Sequence, residues 1–203
     1  MKRAMAEATS NPAAVQPFSG REIVVAVCGG ISAYKSADLV SKLVQGGAGV
    51  TVVMTRAGQQ FVTPLTFQAL SGRPVRTDTF DLPEASDPQH IGLTEKADLM
   101  IVAPATANII AKAAHGICDD LVSVMICAAA CTVVFCPAMN HRMWDHAVTQ
   151  ENCRKLAALG YPFIGPESGW LACRSVGAGR MSDPPKIIEQ IIPLLSAAPQ
   201  RLA

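Results

Sequence analysis

Charge and aromatic side chains are both scarce in this 203-residue chain: 16% of positions are charged, 5% are aromatic, and the net charge is +1. So even a balance leaves no overall field to draw in nucleic acid or an anionic membrane surface. It also leaves little charge to cover the outside, and a homo-oligomer is expected on that ground. No secretory signal is apparent, because residues 1–20 lack an apolar core segment. No window approaches the length of a membrane span. The seven cysteines form no Cys-x-x-Cys pair, and no Cys/His cluster has metal-ligand spacing, so no metal site is expected. Cys28, Cys127, Cys131 and Cys136 lie in or beside apolar runs, where a free thiol behaves as a small hydrophobe. A reducing cytoplasm is the compartment this implies.

What is present is a regular alternation. Residues 1–20 read as a disordered N-terminal tail, and 21–203 as a single domain. Ile23–Cys28 is a continuous apolar run of the kind found in a strand buried on both faces. Gly29-Gly30 breaks it, and Ala37, Val40, Leu43 and Val44 then recur at helical spacing until Gly46-Gly47. The same reading gives strands at Val50–Met54, Pro74–Phe80, Leu99–Ala103, Thr132–Cys136 and Tyr161–Ile164. Helices are expected over Pro64–Leu70, Ala107–Ala114, Leu121–Ala129, Val148–Leu159 and Ile187–Leu195. Asp81–Gln89 is polar and reads as a surface loop leading to His90, and Gly165–Met181 as a glycine-rich segment. The expected fold is α/β: a three-layer, doubly wound parallel sheet of Rossmann-like architecture.

In such sheets ligands bind beyond the carboxyl ends of the strands. Four turns meet there. The first, Cys28-Gly29-Gly30-Ile31-Ser32, lets backbone approach a ligand and offers helix N–H groups to an anion. Tyr34 stands where a phosphate-binding loop of the Lys-Ser type needs glycine, and Gly-x-Gly-x-x-Gly is absent. The second strand ends Met54-Thr55-Arg56, without an acidic residue for a ribose hydroxyl. A mononucleotide phosphate therefore suits the turn better than ATP or a dinucleotide, and a tight turn with no ligand explains its glycines as well. Pro104-Ala105-Thr106-Ala107-Asn108 and Pro137-Ala138-Met139-Asn140 complete the edge. Thr106 and Asn140 could each be helix caps. Four such turns on one edge favour a shared site for a flat polar ring.

The ordered set of segments resembles the homo-oligomeric flavin-containing cysteine decarboxylases. The matching segments are Gly29–Lys35, His90-Ile91, Ala103–Asn108, Gly116–Leu121, Pro137–Trp144, Leu171-Ala172-Cys173 and Gly177–Met181. The resemblance implies FMN as cofactor, its phosphate at Gly29, Gly30 and Ser32. Its ring and ribityl chain would lie against Thr55, Ala105, Thr106, Ala107, Asn108, Ala138 and Met139. Asn140 would bind the substrate carboxylate, His90 would move a proton in the oxidation step, and Cys173 would protonate an enethiolate carbon. Met143, Arg180 and Arg174 would line the substrate region, and 165–182 would form a lid. Trimers, sometimes packed as dodecamers with the site between subunits, are also implied.

The reaction implied is decarboxylation of 4′-phosphopantothenoylcysteine to 4′-phosphopantetheine in coenzyme A biosynthesis. A cysteine carboxylate has no electron sink of its own. Oxidation of the thiol to a thioaldehyde supplies one, and loss of carbon dioxide then leaves an enethiolate that is reduced. The alternative within the family is oxidative decarboxylation of a peptidyl cysteine, which stops at the enethiol and needs no Cys173. A flavin prenyltransferase and a flavin-binding regulatory subunit that inhibits a phosphatase are further alternatives. The first is not expected to carry Pro-Ala-Met-Asn, and the second tends to carry long acidic tails. At this length a cysteine-coupling ligase is expected on a separate protein. One departure stands out: Arg174 follows Leu171-Ala172-Cys173 where the family usually has glycine. Either Arg174 is held at positive φ, or its charge serves the substrate phosphate.

Overall fold

A computed structural model of the chain describes residues 16–79 and 89–197; the side chains of 89–91, 196 and 197 are outside that description. Most of the expected tail, Phe80 at the end of an expected strand, and residues 81–88 of the expected loop also fall outside it. Gln16–Gly20 is described and is no tail: Phe18 is 1% exposed in the core, and its N–H donates to the Gly46 carbonyl.

The apolar runs form a parallel sheet of four strands in the order β2-β1-β3-β4. The strands are β1 (Glu22–Val27), β2 (Gly49–Met54), β3 (Leu99–Ala105) and β4 (Thr132–Pro137). Strand alternation sends Val25, Val27, Ile101 and Val134 to one face and Val24, Ala26, Val102 and Phe135 to the other. Both faces are covered. On the first lie α1 (Ala33–Gln45), α2 (Pro64–Ser71) and α8 (Pro184–Ala197); on the second, α4 (Ala107–His115), α5 (Leu121–Ala128) and α7 (Ala147–Ala158). This is the three-layer architecture expected. Each fully buried valine or isoleucine contributes about 1.5–3 kcal/mol, so a charge at Val25 would remove the centre of the sheet.

Local chemistry explains the boundaries. Asp120 caps α5: its carboxylate accepts from Ser123 N–H, and Ser123 Oγ accepts from Asp120 N–H, a reciprocal capping box. Gly72 and Gly116 end α2 and α4 at φ 68° and 67°. In β3, Pro104 has no N–H to donate, and the β3–β4 register shifts between Val102 and Ala105. The Ala103 carbonyl accepts from the buried Ser36 Oγ at 2.6 Å, which ties α1 to the end of β3.

Four expectations change. The described part of Pro74–Phe80, residues 74–79, and Tyr161–Ile164 are not strands. Each supplies one bridge at a sheet edge, Arg76 to Val53 and Phe163 to Phe135. Pro162 has no N–H, and Gly165, at φ 80°, leaves the extended region, so that ladder does not propagate. Gln89 and His90 begin a helix, α3 (Gln89–Lys96), rather than ending a loop. The glycine-rich segment holds an antiparallel hairpin, β5 (Glu167–Trp170) with β6 (Val176–Arg180).

Candidate functional site

A cavity of about 720 Å³ opens at the carboxyl edge of the sheet. The first turn supplies Cys28, Gly29, Gly30, Ile31 and Ser32. Gly29 has to be glycine: a Cβ there would lie 2.4 Å from Ala57 Cβ, in the turn after β2. Gly30 has ordinary clearance. Ser32 begins α1 without a side-chain capping bond, so its hydroxyl is not committed to the helix. Thr55 lines the cavity, and its Oγ1 accepts from Gly58 N–H at 3.0 Å, which fixes the second turn.

Thr106, Ala107 and Asn108 form the wall after β3. Thr106 is also the cap of α4, its Oγ1 accepting from Ile109 N–H at 3.3 Å, so the capping and lining readings both hold. Ala105 is fully buried and does not line the cavity; its carbonyl accepts from Ala138 N–H and joins the third turn to the fourth. Lys112 and Asp120 close the inner side. Burial pulls the Lys112 ammonium down, but pairing with Asp119 and Asp120 outweighs it and holds it above its usual value. Composition gave no signal for this pair. The carboxylates were legible as helix-start residues, while Lys112 reaches them only because α4 and α5 pack together.

The fourth turn supplies Ala138, Met139, Asn140 and, from α6 (His141–Trp144), Met143. Asn140 caps α6: Oδ1 accepts from Arg142 N–H at 2.8 Å. With that oxygen used, the Nδ2 end donates to Cys173 Sγ at 3.0 Å. Met143 is half-exposed, while Trp144 packs partly into the core.

The β5–β6 hairpin covers this turn and contributes Leu171, Ala172, Cys173, Gly179 and Arg180. It approaches closely because β6 lacks side chains where it crosses the turn. A Cβ at Gly179 would sit 2.2 Å from the Met139 carbonyl oxygen, and one at Gly177 would sit 2.8 Å from His141 Cβ. The Gly179 carbonyl accepts from Met139 N–H. At the hairpin base, Lys35 on α1 donates to the Met181 carbonyl at 2.8 Å and to Asp183 at 2.7 Å. Arg180 pairs with Glu167 and Asp183.

Cys173 is exposed, and hydrogen bonds from Ser175, then from Asn140, hold its thiol below the usual range. Burial pushes Cys136 up to about 12 and raises Cys28 and Cys153 as well. Thiolate character is therefore favoured at Cys173. Arg174 has φ 62°, the left-handed conformation that a usual glycine there would adopt without strain. It does not line the cavity. The His90 side chain is outside the described residues; its backbone lies in α3, which packs near α5.

A family model described as Flavoprotein matches residues 14–196. The chain belongs to the Flavoprotein family. Among the relatives of this flavoprotein are the coenzyme A biosynthesis bifunctional proteins CoaBC of Bacillus subtilis (strain 168) and Escherichia coli (strain K12). The first is 48% identical over 172 residues, 85% of this chain and 42% of that protein. The second is 45% identical over 175 residues, 86% of this chain and 43% of that protein. The chain thus spans less than half the length of these two relatives. A solved structure of a cysteine-to-serine mutant of PPC decarboxylase complexed with pantothenoylaminoethenethiol matches with a TM-score of 0.78. The identity is 27%, over 87% of this chain and 99% of that one. The FMN binding protein AtHal3 matches with a TM-score of 0.76 at 28% identity, over 89% and 99%. Among the described residues no helix is long and apolar enough to cross a membrane, and no cluster of three or more potential metal ligands occurs.

Proposed function

We propose that this flavoprotein is an FMN-dependent phosphopantothenoylcysteine decarboxylase that converts 4′-phosphopantothenoylcysteine to 4′-phosphopantetheine in the cytoplasm. The observation that carries the reading is Cys173, its thiol eased toward thiolate and held by Asn140 over a cavity of about 720 Å³. A deprotonation-prone thiol poised above a cofactor-sized cavity suits an acid that works on a bound carbanion.

The donor set fits FMN. Gly29, Gly30 and the uncommitted Ser32 suit the phosphate at the start of α1. Thr55, Thr106 and Asn108 offer hydroxyl and amide groups, while Ala107, Ala138 and Met139 give narrow apolar walls for a planar ring. FMN, when bound, supplies the two-electron sink that thiol oxidation requires and the source for the later reduction.

The chain's own residues hold substrate and move protons. Asn140 Nδ2 binds the carboxylate; being neutral, it orients the anion without strongly opposing its loss. His90 takes up the thiol proton during oxidation. Cys173 gives its proton to the enethiolate carbon. Segment 165–182, carrying the β5–β6 hairpin, closes over the substrate as a lid. Met143 and Arg180 flank the substrate, although Arg180 already serves Glu167 and Asp183.

A homo-oligomer, trimer or dodecamer, completes the site. Apolar side chains left outside support it: Leu65 is 74% exposed and Tyr34 62%, with Ile31 and Phe61 nearby in the chain.

The test is incubation with 4′-phosphopantothenoylcysteine and product identification by mass spectrometry. Carbon dioxide release with 4′-phosphopantetheine as product is expected. Protein that takes up no FMN, or turnover of a cysteine-ended peptide to its enethiol instead, would overturn the reading.

A further inference from the structure

Cys173 does not end its hydrogen-bond chain. Its Sγ lies 3.0 Å from Ser175 Oγ, and Ser175 Oγ lies 3.3 Å from His141 Nδ1. Two residues from the hairpin turn thus meet the first residue of α6. The contact is set by backbone, because Gly177 leaves room for His141 directly beneath β6.

We infer that Ser175 and His141 are positioning residues forming a relay that returns a proton to Cys173 after it has protonated the enethiolate carbon. The inference rests on the decarboxylase reading above. Donor and acceptor capacities give the chain two polarities. With Cys173 a thiol, S–H donates to Ser175 Oγ, and the serine hydroxyl donates to a neutral His141 Nδ1. With Cys173 a thiolate, sulfur only accepts, so the serine hydroxyl turns toward it and accepts from Nδ1–H of an imidazolium.

One turn of the relay balances in protons. The Cys173 S–H bond breaks as the substrate carbon takes the proton; half-buried His141, exchanged through solvent to its neutral Nδ1–H tautomer, takes a solvent proton at Nε2. The serine proton then moves to sulfur while the Nδ1 proton moves to Ser175 Oγ. Cys173 is again a thiol and His141 is neutral. No electrons are transferred in these steps.

Charged residues close to the chain in sequence are Arg142 and Asp145 after His141, with the Asp145 N–H donating to the His141 carbonyl, Arg174 in the hairpin turn, and Arg180 on β6, which is paired with Glu167 and Asp183. Asn140, the other contact of the sulfur, does not titrate. His141 is the member of the chain with two ring nitrogens, one to take up a proton and one to pass it on.

The test uses the full chain loaded with FMN and two readouts. The first is the pH profile of Cys173 alkylation, resolved by peptide mass spectrometry because Cys118 and Cys127 are also exposed. The second is the ratio of enethiol to 4′-phosphopantetheine among the products. Ser175→Ala should move the alkylation profile to higher pH and raise the enethiol fraction about tenfold, and Ser175→Thr should restore both. His141→Asn keeps a donor near Nδ1 but cannot carry the proton, so it should raise the enethiol fraction with little change in the alkylation profile.

Wild-type product ratios in both Ser175→Ala and His141→Asn would overturn the relay. So would a Ser175→Thr variant as impaired as Ser175→Ala. If the unmodified enzyme releases no carbon dioxide, the decarboxylase reading fails by itself. The alkylation profiles then decide the hydrogen-bond chain, and superimposable profiles for wild type and Ser175→Ala would remove it.

Discussion

The two ends of Asn140 divide between structure and the proposed chemistry. Oδ1 holds the first turn of α6, and Nδ2 faces Cys173. Asp would cap α6 equally well, but it would bring a second carboxylate oxygen against the sulfur. Asn140→Asp should therefore leave the melting temperature close to wild type while moving Cys173 alkylation to higher pH. Decarboxylation should fall by at least about a hundredfold, since a like charge would meet the substrate carboxylate that Asn140 is proposed to bind. Thermal unfolding, alkylation and carbon dioxide release measure the three effects. Arg174 is the opposite case, a residue whose backbone conformation opposes its side chain. Relieving a left-handed arginine gains roughly 1–2 kcal/mol, and glycine's greater unfolded-state freedom returns part of it. Arg174→Gly should stabilise the chain by about 0.5–1 kcal/mol in chemical denaturation.

At the scale of elements, the base of the hairpin carries a cluster of ion pairs, while Leu171 and Met181 supply its buried apolar contacts. Trp170 and Val176 are exposed, and its base rests on Lys35, Glu167, Arg180, Asp183 and Lys186. Bonding to Lys186, then Arg180, holds the Glu167 carboxyl below its usual value, and Lys35 does the same for Asp183. For a carboxyl lowered in the folded state, stability is present above the unfolded pKa of about 4 and is lost as pH falls through the lower folded value. Both groups are partly solvated, so the contribution is modest. Acidification below about pH 4 should loosen the hairpin before the sheet. Glu167→Gln with Asp183→Asn should flatten the acid limb of a melting-temperature profile relative to wild type, and an unchanged limb would assign acid sensitivity elsewhere.

For the molecule as a whole, the elements legible in sequence are those whose order is written in short-range pattern. β1, α1 and β2 follow from an apolar run, a helical period and glycine stops, and α5 from its aspartates. What was not legible depends on neighbours distant in sequence. The two edge segments at Arg76 and Phe163 are each limited to a single bridge by their surroundings. The hairpin strands are rich in glycine, chosen for close approach to Met139 and His141, and so carry no alternation to read. Short α3 offers barely two helical turns. At the candidate site the turn residues were visible in order, whereas Ser175, His141 and Lys112 gain their meaning from contacts across 34 or 8 positions of the chain. Assembly is the prediction at this scale. Light scattering after gel filtration should give a mass of three chains or a multiple of three, and a monomer at micromolar concentration would contradict it.

The left-handed Arg174 has a consequence beyond strain. It is an exposed arginine in a turn, the kind of place where a protease gains purchase. Trypsin cutting after Arg174 would separate Cys173 from Ser175 and leave the sheet intact. The rate of that one cleavage thus tests the proposed lid. Ligand that draws the hairpin onto the cavity should slow it, giving a gel-based measure of closure that needs no turnover at all.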